Sequence, residues 1–314
     1  MAGHEVLDEP VWRARASAHR ERMRRWTGPH RERRRRGEAH PVVDFLFTYY
    51  SHRPAQLRRW HPGPGQVLED AADLPRAGWR HYRRRRDAVE LDTAAFREAR
   101  AGTLDFVRRL LTTTRDRPAQ LGCFGMHEWA MVYRLGEDEL RHRDWPLRLG
   151  GAATDEVVDA AQVRCSHYDA YRFYTPPARS LNLLTPTRES QVDLEQPGCL
   201  HAGMDLYKWA TTLAPAIPSE LVMDCFDHAR AIRELDMRAS PYDLRALGYE
   251  PVPVETAAGR AAYVAAQRSF AEAGQALRDR LLEALDAVES DAGVTVRSGA
   301  GRQVGPAARR GGEP

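Results

Sequence analysis

The stretch HAGMDLYKWA, residues 201–210, brings together three side chains that can do chemistry. His201, Asp205 and Lys208 are spaced four and three residues apart, so a helix would place them on one face. Lys208 is the single lysine among 47 Lys and Arg residues. Its amine can lose a proton and attack carbon, and desolvation beside Trp209 would lower its pKa. With Asp205 or Asp224 as proton relay, this pattern indicates a catalytic Lys208; the alternative is an incidental surface charge.

A second interpretation of the same region is a metal site. His201 and Asp205 are separated by four residues, as are Asp224 and His228. Two helices offering such pairs can converge on one ion, and Glu128 or His167 would complete the ligand set. The alternative is that each pair is only a hydrogen bond or ion pair on a helix surface. The candidate ligands for Fe, Mn or Zn are Glu128, His167, His201, Asp205, Asp224 and His228.

Aromatic side chains surround these polar groups in the sequence. A pocket for an extruded nucleobase needs aromatic faces and a few polar groups, whereas the alternative is an ordinary core with hydrogen-bonded tyrosines. Glu128 or Asp205 would then activate water or stabilise an oxocarbenium-like sugar. The candidate pocket residues are Trp129, Tyr133, Tyr168, Tyr171 and Trp209.

The positive charge is clustered although the net charge is only +3. Dense arginine blocks suit phosphate backbones, so they indicate DNA as a partner; a basic run can equally be a solvated face. The candidate nucleic-acid contacts are Arg33, Arg34, Arg35, Arg36, Arg83, Arg84, Arg85 and Arg86.

The apolar periodicity predicts a mostly α protein with little strand. We expect a charged arm or helix over residues 1–40, a single mainly helical catalytic domain over 41–288, and a disordered tail over 289–314. No apolar run is long enough to span a membrane and no secretory signal is present, so we expect a cytoplasmic protein with reduced cysteines. The pattern does not set an oligomeric state.

Within this outline, each segment of the chain has its own expected structure. A buried helix should open at Pro41, and residues 66–92 should form a polar surface excursion. A loop is expected over 141–155 and an extended segment at the start of 164–184. Helices are expected over 93–113, 122–135, 200–213, 219–237 and 262–288, with Ser219 as an N-cap.

Several long stretches resemble one family of actinobacterial proteins. They are WRAR (12–15), HPVVDFLFTYYSHRPAQLRRWHPG (40–63), FGMHEWAMVY (124–133), HAGMDLYKW (201–209) and DCFDHARAIRELDMRASPYDL (224–244). Over residues 12–250 the chain is similar to a family usually labelled 3-methyladenine DNA glycosylase.

This resemblance implies a base-excision hydrolase that cleaves the N-glycosidic bond of alkylated purines without a cofactor. In that reading Glu128, Asp205 and Lys208 are the catalytic candidates. A metal-dependent α-helical enzyme acting on a small molecule is the first alternative, and a non-catalytic nucleic-acid-binding protein is the second.

Overall fold

Helices dominate the structure, which is a computed structural model that describes residues 4–50, 52–140, 142 and 144–292. This confirms the mostly α prediction. The helices are α1 (Glu9–Arg35), α2 (Phe45–Tyr49), α3 (Pro54–Leu57), α4 (Thr93–Arg115), α5 (Met126–Ala130), α6 (Gly150–Asp159), α7 (Tyr168–Tyr171), α8 (Pro176–Arg179), α9 (Gln191–Leu194), α10 (Leu200–Thr212), α11 (Ser219–Arg238) and α12 (Ala257–Ala292).

The helical core is built from α10 and the long helices that pack around it. Helix α10 packs against α11 and α12, and α12 also packs against α4. Large apolar side chains such as Tyr207, Phe226 and Ile232 fill the space between these helices. Burial of their apolar area is the main force that holds the helices together.

A small sheet lies beside this core, where a polar surface excursion was expected. Its strands are β1 (Glu5–Leu7), β2 (Gln66–Leu68), β3 (Tyr82–Arg85) and β4 (Ala88–Leu91), in the order β1-β2-β4-β3. Strand β1 pairs with β2 in parallel, and the other pairs are antiparallel. The expectation for residues 66–92 is therefore wrong, because β4 is buried throughout and its Glu90 takes ion pairs from Arg83 and Arg85.

Two of the predicted helices match the structure closely, and others differ in length. The helices expected over 200–213 and 219–237 are α10 and α11, although Ser219 is the first helical residue of α11 and not its N-cap. The helix expected over 122–135 is reduced to α5, which begins after the left-handed Gly125. The extended segment expected from residue 164 contains short helices α7 and α8, and α6 begins inside the loop expected over 141–155.

At the N-terminus, α1 lies within the segment expected to be a charged arm or helix, whereas the C-terminal helix is longer than expected. Helix α1 has one buried face that includes Trp12 and Met23, and Arg22 on it bonds Asp224 and Asp227 of α11. Helix α12 continues to Ala292, so the first residues of the expected tail are helical. Residues 293–314 lie outside the described part of the chain. No helix in the described part is both long and apolar enough to cross a membrane.

Two glycines inside helices offer a matched test of this packing. A Cβ at Gly259 in α12 would lie 1.9 Å from the Pro253 carbonyl oxygen, whereas a Cβ at Gly102 in α4 would meet nothing within 4 Å. Gly259→Ala should therefore destabilise the protein by about 2 kcal/mol or more through overpacking. Gly102→Ala should stabilise it by about 0.5–1 kcal/mol through helix propensity. Chemical denaturation measures both, and equal effects of the two substitutions would contradict the packing of α12.

Candidate functional site

Helix α10 lies in the core and provides the central residues of the candidate site. All of its residues are buried except Lys208 and Thr212. His201 and Asp205 are one turn apart and lie on the same face. Their polar atoms need partners inside the protein, because a buried polar group left unsatisfied costs about 1–3 kcal/mol.

His127, His201 and Asp236 form a cluster beside the first turn of α10. His127 Nε2 lies 2.7 Å from Asp236 Oδ1. The rings of His127 and His201 meet edge to face with their centroids 4.4 Å apart. One ligand atom from each residue lies within 4.8 Å of the other two, and no other group of three among residues 4–50, 52–140, 142 and 144–292 does so.

The negative charge of Asp236 is compensated inside this cluster. Arg233 Nη1 donates to Asp236 Oδ2 at 2.9 Å and to Glu128 Oε1 at 2.7 Å. Burial raises the pKa of Asp236, but the charge and hydrogen bond of His127 outweigh burial and hold it below its usual range. Burial lowers the pKa of His127, but Asp236 outweighs it and raises that pKa well above its ordinary value. This pair is therefore imidazolium and carboxylate.

His201 is the member of the cluster whose ring contacts two other imidazoles, those of His127 and His167. Burial, followed by the charge of His127, lowers the pKa of His201 well below its ordinary value, so its ring is neutral. It lies between two cavities of about 10 Å³ each, which is room for about one water molecule. Cys123, Cys165 and Cys199 line one cavity, whereas Phe45, Tyr49, Glu128 and Arg233 line part of the other.

Asp205 forms the second half of the site, one turn further along α10. Its Oδ1 accepts a hydrogen bond from the Tyr50 hydroxyl at 2.9 Å, and its Oδ2 accepts one from Lys208 Nζ at 3.0 Å. Lys208 Nζ also donates to Asp169 Oδ2 at 2.8 Å. Burial raises the pKa of Asp205, but Lys208 and His167 outweigh burial and lower it below its usual range. The carboxylate is therefore charged inside the core.

His167 links the two halves. Its ring stacks at 25° on that of His201, with centroids 5.3 Å apart. Its Nε2 lies 3.3 Å from Asp205 Oδ2 and 4.0 Å from Glu195 Oε2, but neither ring nitrogen has a well-aligned hydrogen bond. Three imidazoles thus form a continuous buried row between the carboxylates of Asp236 and Asp205.

Lys208 does not have the lowered pKa that desolvation beside Trp209 suggests, so that expectation is wrong. Its Nζ does lie 4.6 Å from the Trp209 ring centroid. Burial lowers the pKa of Lys208, but Asp205 and Asp169 together outweigh burial and raise it above its ordinary value. The amine is protonated at neutral pH, which makes it a charge partner of two carboxylates.

The predicted aromatic pocket residues do not surround one cavity. Trp129 is fully buried and donates its Nε1–H to the Ala239 carbonyl, and Tyr133 belongs to the same core cluster. Trp209 packs against Phe106, and Tyr171 packs against Tyr174. Tyr168 lies under Arg188. None of these five residues lines either cavity beside His201.

Asp224 and His228 are part of α11 but lie apart from the imidazole row. Asp224 is partly exposed and pairs with Arg22 and Arg280. His228 faces Phe270 of α12, and its Nε2 has no hydrogen-bond partner in the described chain. The six predicted metal ligands therefore do not form one compact group.

The arginine blocks are largely paired with acids of the same chain. Arg33 bonds Asp44, Arg35 bonds Glu32 and Arg36 bonds Glu38. Arg83 and Arg85 both pair with Glu90. The remaining predicted contacts, Arg34, Arg84 and Arg86, have no ion pair with a described residue. Much of the positive charge of these blocks is thus neutralised locally.

Sequence reasoning missed several members of the site. Asp236, Asp169, Glu195 and Tyr50 were not among the candidate residues, and neither was His127, the neighbour of Glu128. His127 lies in a segment rich in Cys, His and Glu, which is a usable signal. Asp236 has no such signal, because it meets His127 across 109 residues of chain.

Comparison of the chain with protein-family models, with curated proteins and with solved structures gave no match.

The pairing of Lys208 is testable by stability measurements. Lys208→Met leaves Asp205 and Asp169 without their shared cation, and we expect a loss of about 2–3 kcal/mol, because an unpaired buried charge is costly. In an Asp205→Asn background the same change should cost clearly less. Urea denaturation of the four proteins gives the coupling energy, and a value near zero would mean that the lysine is not the partner of Asp205.

The environment of His228 predicts a pH effect. Burial, followed by the charge of Arg278, lowers its pKa from 6.5 to about 4. As the pH falls, His228 therefore takes up a proton in the unfolded state before it does so in the folded state. The stability that neutral His228 contributes is complete above pH 6.5 and is lost as the pH falls toward about 4.

His228→Gln cannot take up this proton. The wild-type protein should lose up to about 3 kcal/mol more than the variant over that range, by the usual conversion of pKa shifts. Thermal unfolding across the range measures the difference. Parallel pH profiles of the two proteins would show that His228 titrates normally.

Proposed function

We propose that the protein is a metal-dependent enzyme that acts on a small molecule, with its ion held by His127, His201 and Asp236. One observation carries this proposal. The ligand atoms of these three buried residues lie within 4.8 Å of one another. Two imidazoles and a carboxylate this close together support a site for one metal ion.

The donor set suits a catalytic ion. Two imidazoles and one carboxylate bind Fe, Mn or Zn, and three protein ligands leave coordination positions open for water or substrate. His127 Nε2 and Asp236 Oδ1, which lie 2.7 Å apart, would both be ligands. The ion would therefore replace the proton that these two atoms share. Metal binding would therefore release protons.

The thiols nearby are less suited to this ion in the metal-free protein. Cys123, Cys165 and Cys199 line the neighbouring cavity. Burial raises the pKa of Cys165 to about 11 and that of Cys199 well above its ordinary value. These thiols must lose a tightly held proton to bind an ion, whereas His201 is already neutral, so the nitrogen and oxygen donors are favoured.

The remaining side chains would orient the ligands. Arg233 fixes the second oxygen of Asp236, and Glu128 holds Arg233 in place. His167 lies beside His201 and next to Asp205, where it can hold a proton at Nε2. A bound ion would supply Lewis acidity for the activation of water. The cavity lined by Phe45, Tyr49 and Glu128 adjoins His201 and would hold the water that the ion activates.

DNA glycosylase activity is the second candidate function, and one observation favours it. Glu128, the proposed acid or base, lines the cavity next to His201. In that case metal-free protein should release methyladenine from alkylated DNA, and Glu128→Gln should abolish release while the fold is retained. Glu128 Oε1 accepts a hydrogen bond from Arg233 Nη1 at 2.7 Å, which holds its carboxyl group in place beside that cavity.

Elemental analysis tests the metal proposal directly. We expect about one equivalent of Fe, Mn or Zn in purified protein, because three preformed protein ligands define one site. After chelation, readdition of the ion at about 100 times its Kd should raise stability by about 2.7 kcal/mol. His201→Gln and Asp236→Asn should abolish both effects.

His228→Gln serves as the matched control, because it removes an imidazole that lies outside the cluster. It should bind the ion as the wild type does. The proposal would be rejected if no ion binds to folded wild-type protein, or if the ion binds equally well to His201→Gln.

A further inference from the structure

A second cavity, of about 440 Å³, lies away from the imidazole row. It is formed where the chain after α3, the segment before β3, helix α4, the end of α10 and the start of α11 come together. Its size is within the range of small-molecule binding sites. None of the three histidines of the imidazole row lines it.

The lining of this cavity is positively charged. Arg59, Arg80 and Arg100 lie in its wall, and no aspartate or glutamate does. None of these three arginines forms an ion pair with a carboxylate of the described chain. This differs from the two arginine blocks, in which five of the eight residues pair with acids. Arg100 does donate a hydrogen bond to the Thr212 carbonyl, which fixes its position in the wall. Three guanidinium groups without a carboxylate partner around one concave surface favour an anionic ligand, because arginine matches phosphate geometry.

Neutral hydrogen-bonding groups share the same wall. His52, His61 and His81 all line the cavity, together with Gln56, Thr211 and Thr212. His61 Nδ1 lies 2.9 Å from the Tyr82 hydroxyl, and Ser219 Oγ accepts a hydrogen bond from the His61 amide at 2.8 Å. These bonds hold His61 in one orientation and fasten its segment to the start of α11.

Trp79 adds a planar apolar surface. It is partly exposed and contacts His61 edge to face, with ring centroids 5.6 Å apart. The Arg59 guanidinium carbon lies 5.1 Å from the Trp79 ring centroid. An aromatic ring beside an unpaired arginine is a pairing suited to a ligand with both a planar ring and an anionic group.

The backbone at this wall is also strained. His81 has φ 65°, a left-handed conformation that non-glycine residues rarely adopt. The Asp92 amide donates to the His81 carbonyl at 2.9 Å, and the His81 ring meets Phe96 edge to face. Such strain costs about 1–3 kcal/mol and is concentrated at ligand-binding positions.

We propose that this cavity binds a nucleotide phosphate monoester, either as a free mononucleotide or as the phosphorylated end of a nucleic-acid strand. Arg59, Arg80 and Arg100 hold the phosphate, and Trp79 with the imidazoles of His52 and His61 contacts the base. The site shares no residue with the His127, His201 and Asp236 cluster, so its test can succeed or fail whatever the outcome for the proposed function.

Isothermal titration calorimetry of the full chain with EDTA present tests this site without any contribution from a bound ion. The probes are AMP, a short 5′-phosphorylated DNA strand and the same strand without its phosphate. Binding of AMP assigns the free nucleotide, and binding of the phosphorylated strand alone assigns the strand end; either supports the proposal. Binding of none of the probes, or equal binding of the two strands without binding of AMP, overturns it.

Two double variants distinguish binding in this cavity from an effect of the protein's net charge. Arg59→Gln/Arg80→Gln should weaken binding by at least about tenfold, since a hydrogen bond to a charged group contributes about 1.5–3 kcal/mol. Arg25→Gln/Arg268→Gln changes two exposed arginines outside the cavity and gives the same change in net charge. This control should bind like the wild type. Equal loss in both double variants would mean that only net charge matters, and would overturn the proposal.

Discussion

Asp205 and Asp236 place two carboxylates inside the helical core, with 2% and 0% of their surfaces exposed. Desolvation of such a charge costs several kcal/mol unless opposite charges and hydrogen bonds compensate it. Each carboxylate has one partner three residues away on its own helix, Lys208 for Asp205 and Arg233 for Asp236. The other partner comes from a distant part of the chain: Tyr50, just after α2, bonds Asp205 of α10, and His127 of α5 bonds Asp236 of α11. These two long-range bonds fix how α2 meets α10 and how α5 meets α11.

The same compensation sets the state of the neighbouring imidazoles. His127 takes the charge opposite Asp236, and burial together with this charge lowers the pKa of His201 beside it, so the His201 ring is neutral. His167 is stacked on His201, close to Asp205 but poorly aligned with it; burial lowers its pKa, but its carboxylate neighbours outweigh burial and raise it. The row therefore combines carboxylates at its ends with one neutral imidazole, that of His201, in its middle. This arrangement is the physical basis for proposing a metal-dependent enzyme.

Local patterns predicted the helices that carry the site, because apolar periodicity is a local property of the sequence. Helices α10 and α11 lie where the periodicity indicated, and His201 and Asp205 do share a face. The sheet was missed because its strands are only three or four residues long and β3 is mostly arginine. Short strands of this kind carry too little alternation to be recognised.

Contacts between residues far apart in the chain limited how much of the candidate site could be predicted from the sequence. The pKa of Lys208 is raised because Asp169, 39 residues earlier, lies 2.8 Å from its amine. Asp236 joins His127 in the same way across 109 residues. No spacing rule within one helix contains such contacts. The sequence could therefore indicate which segments carry the chemistry, but it could not indicate which residues of those segments meet.

X-ray absorption spectroscopy of the metal-loaded protein tests the central claim most directly, because it separates nitrogen and oxygen ligands from sulfur. For zinc, binding by His127, His201 and Asp236 predicts a first shell of nitrogen and oxygen at about 2.0–2.2 Å. Sulfur at about 2.3 Å would instead assign the ion to the cysteines of the adjoining cavity. That result, or a first shell unchanged by His201→Gln, would contradict the account.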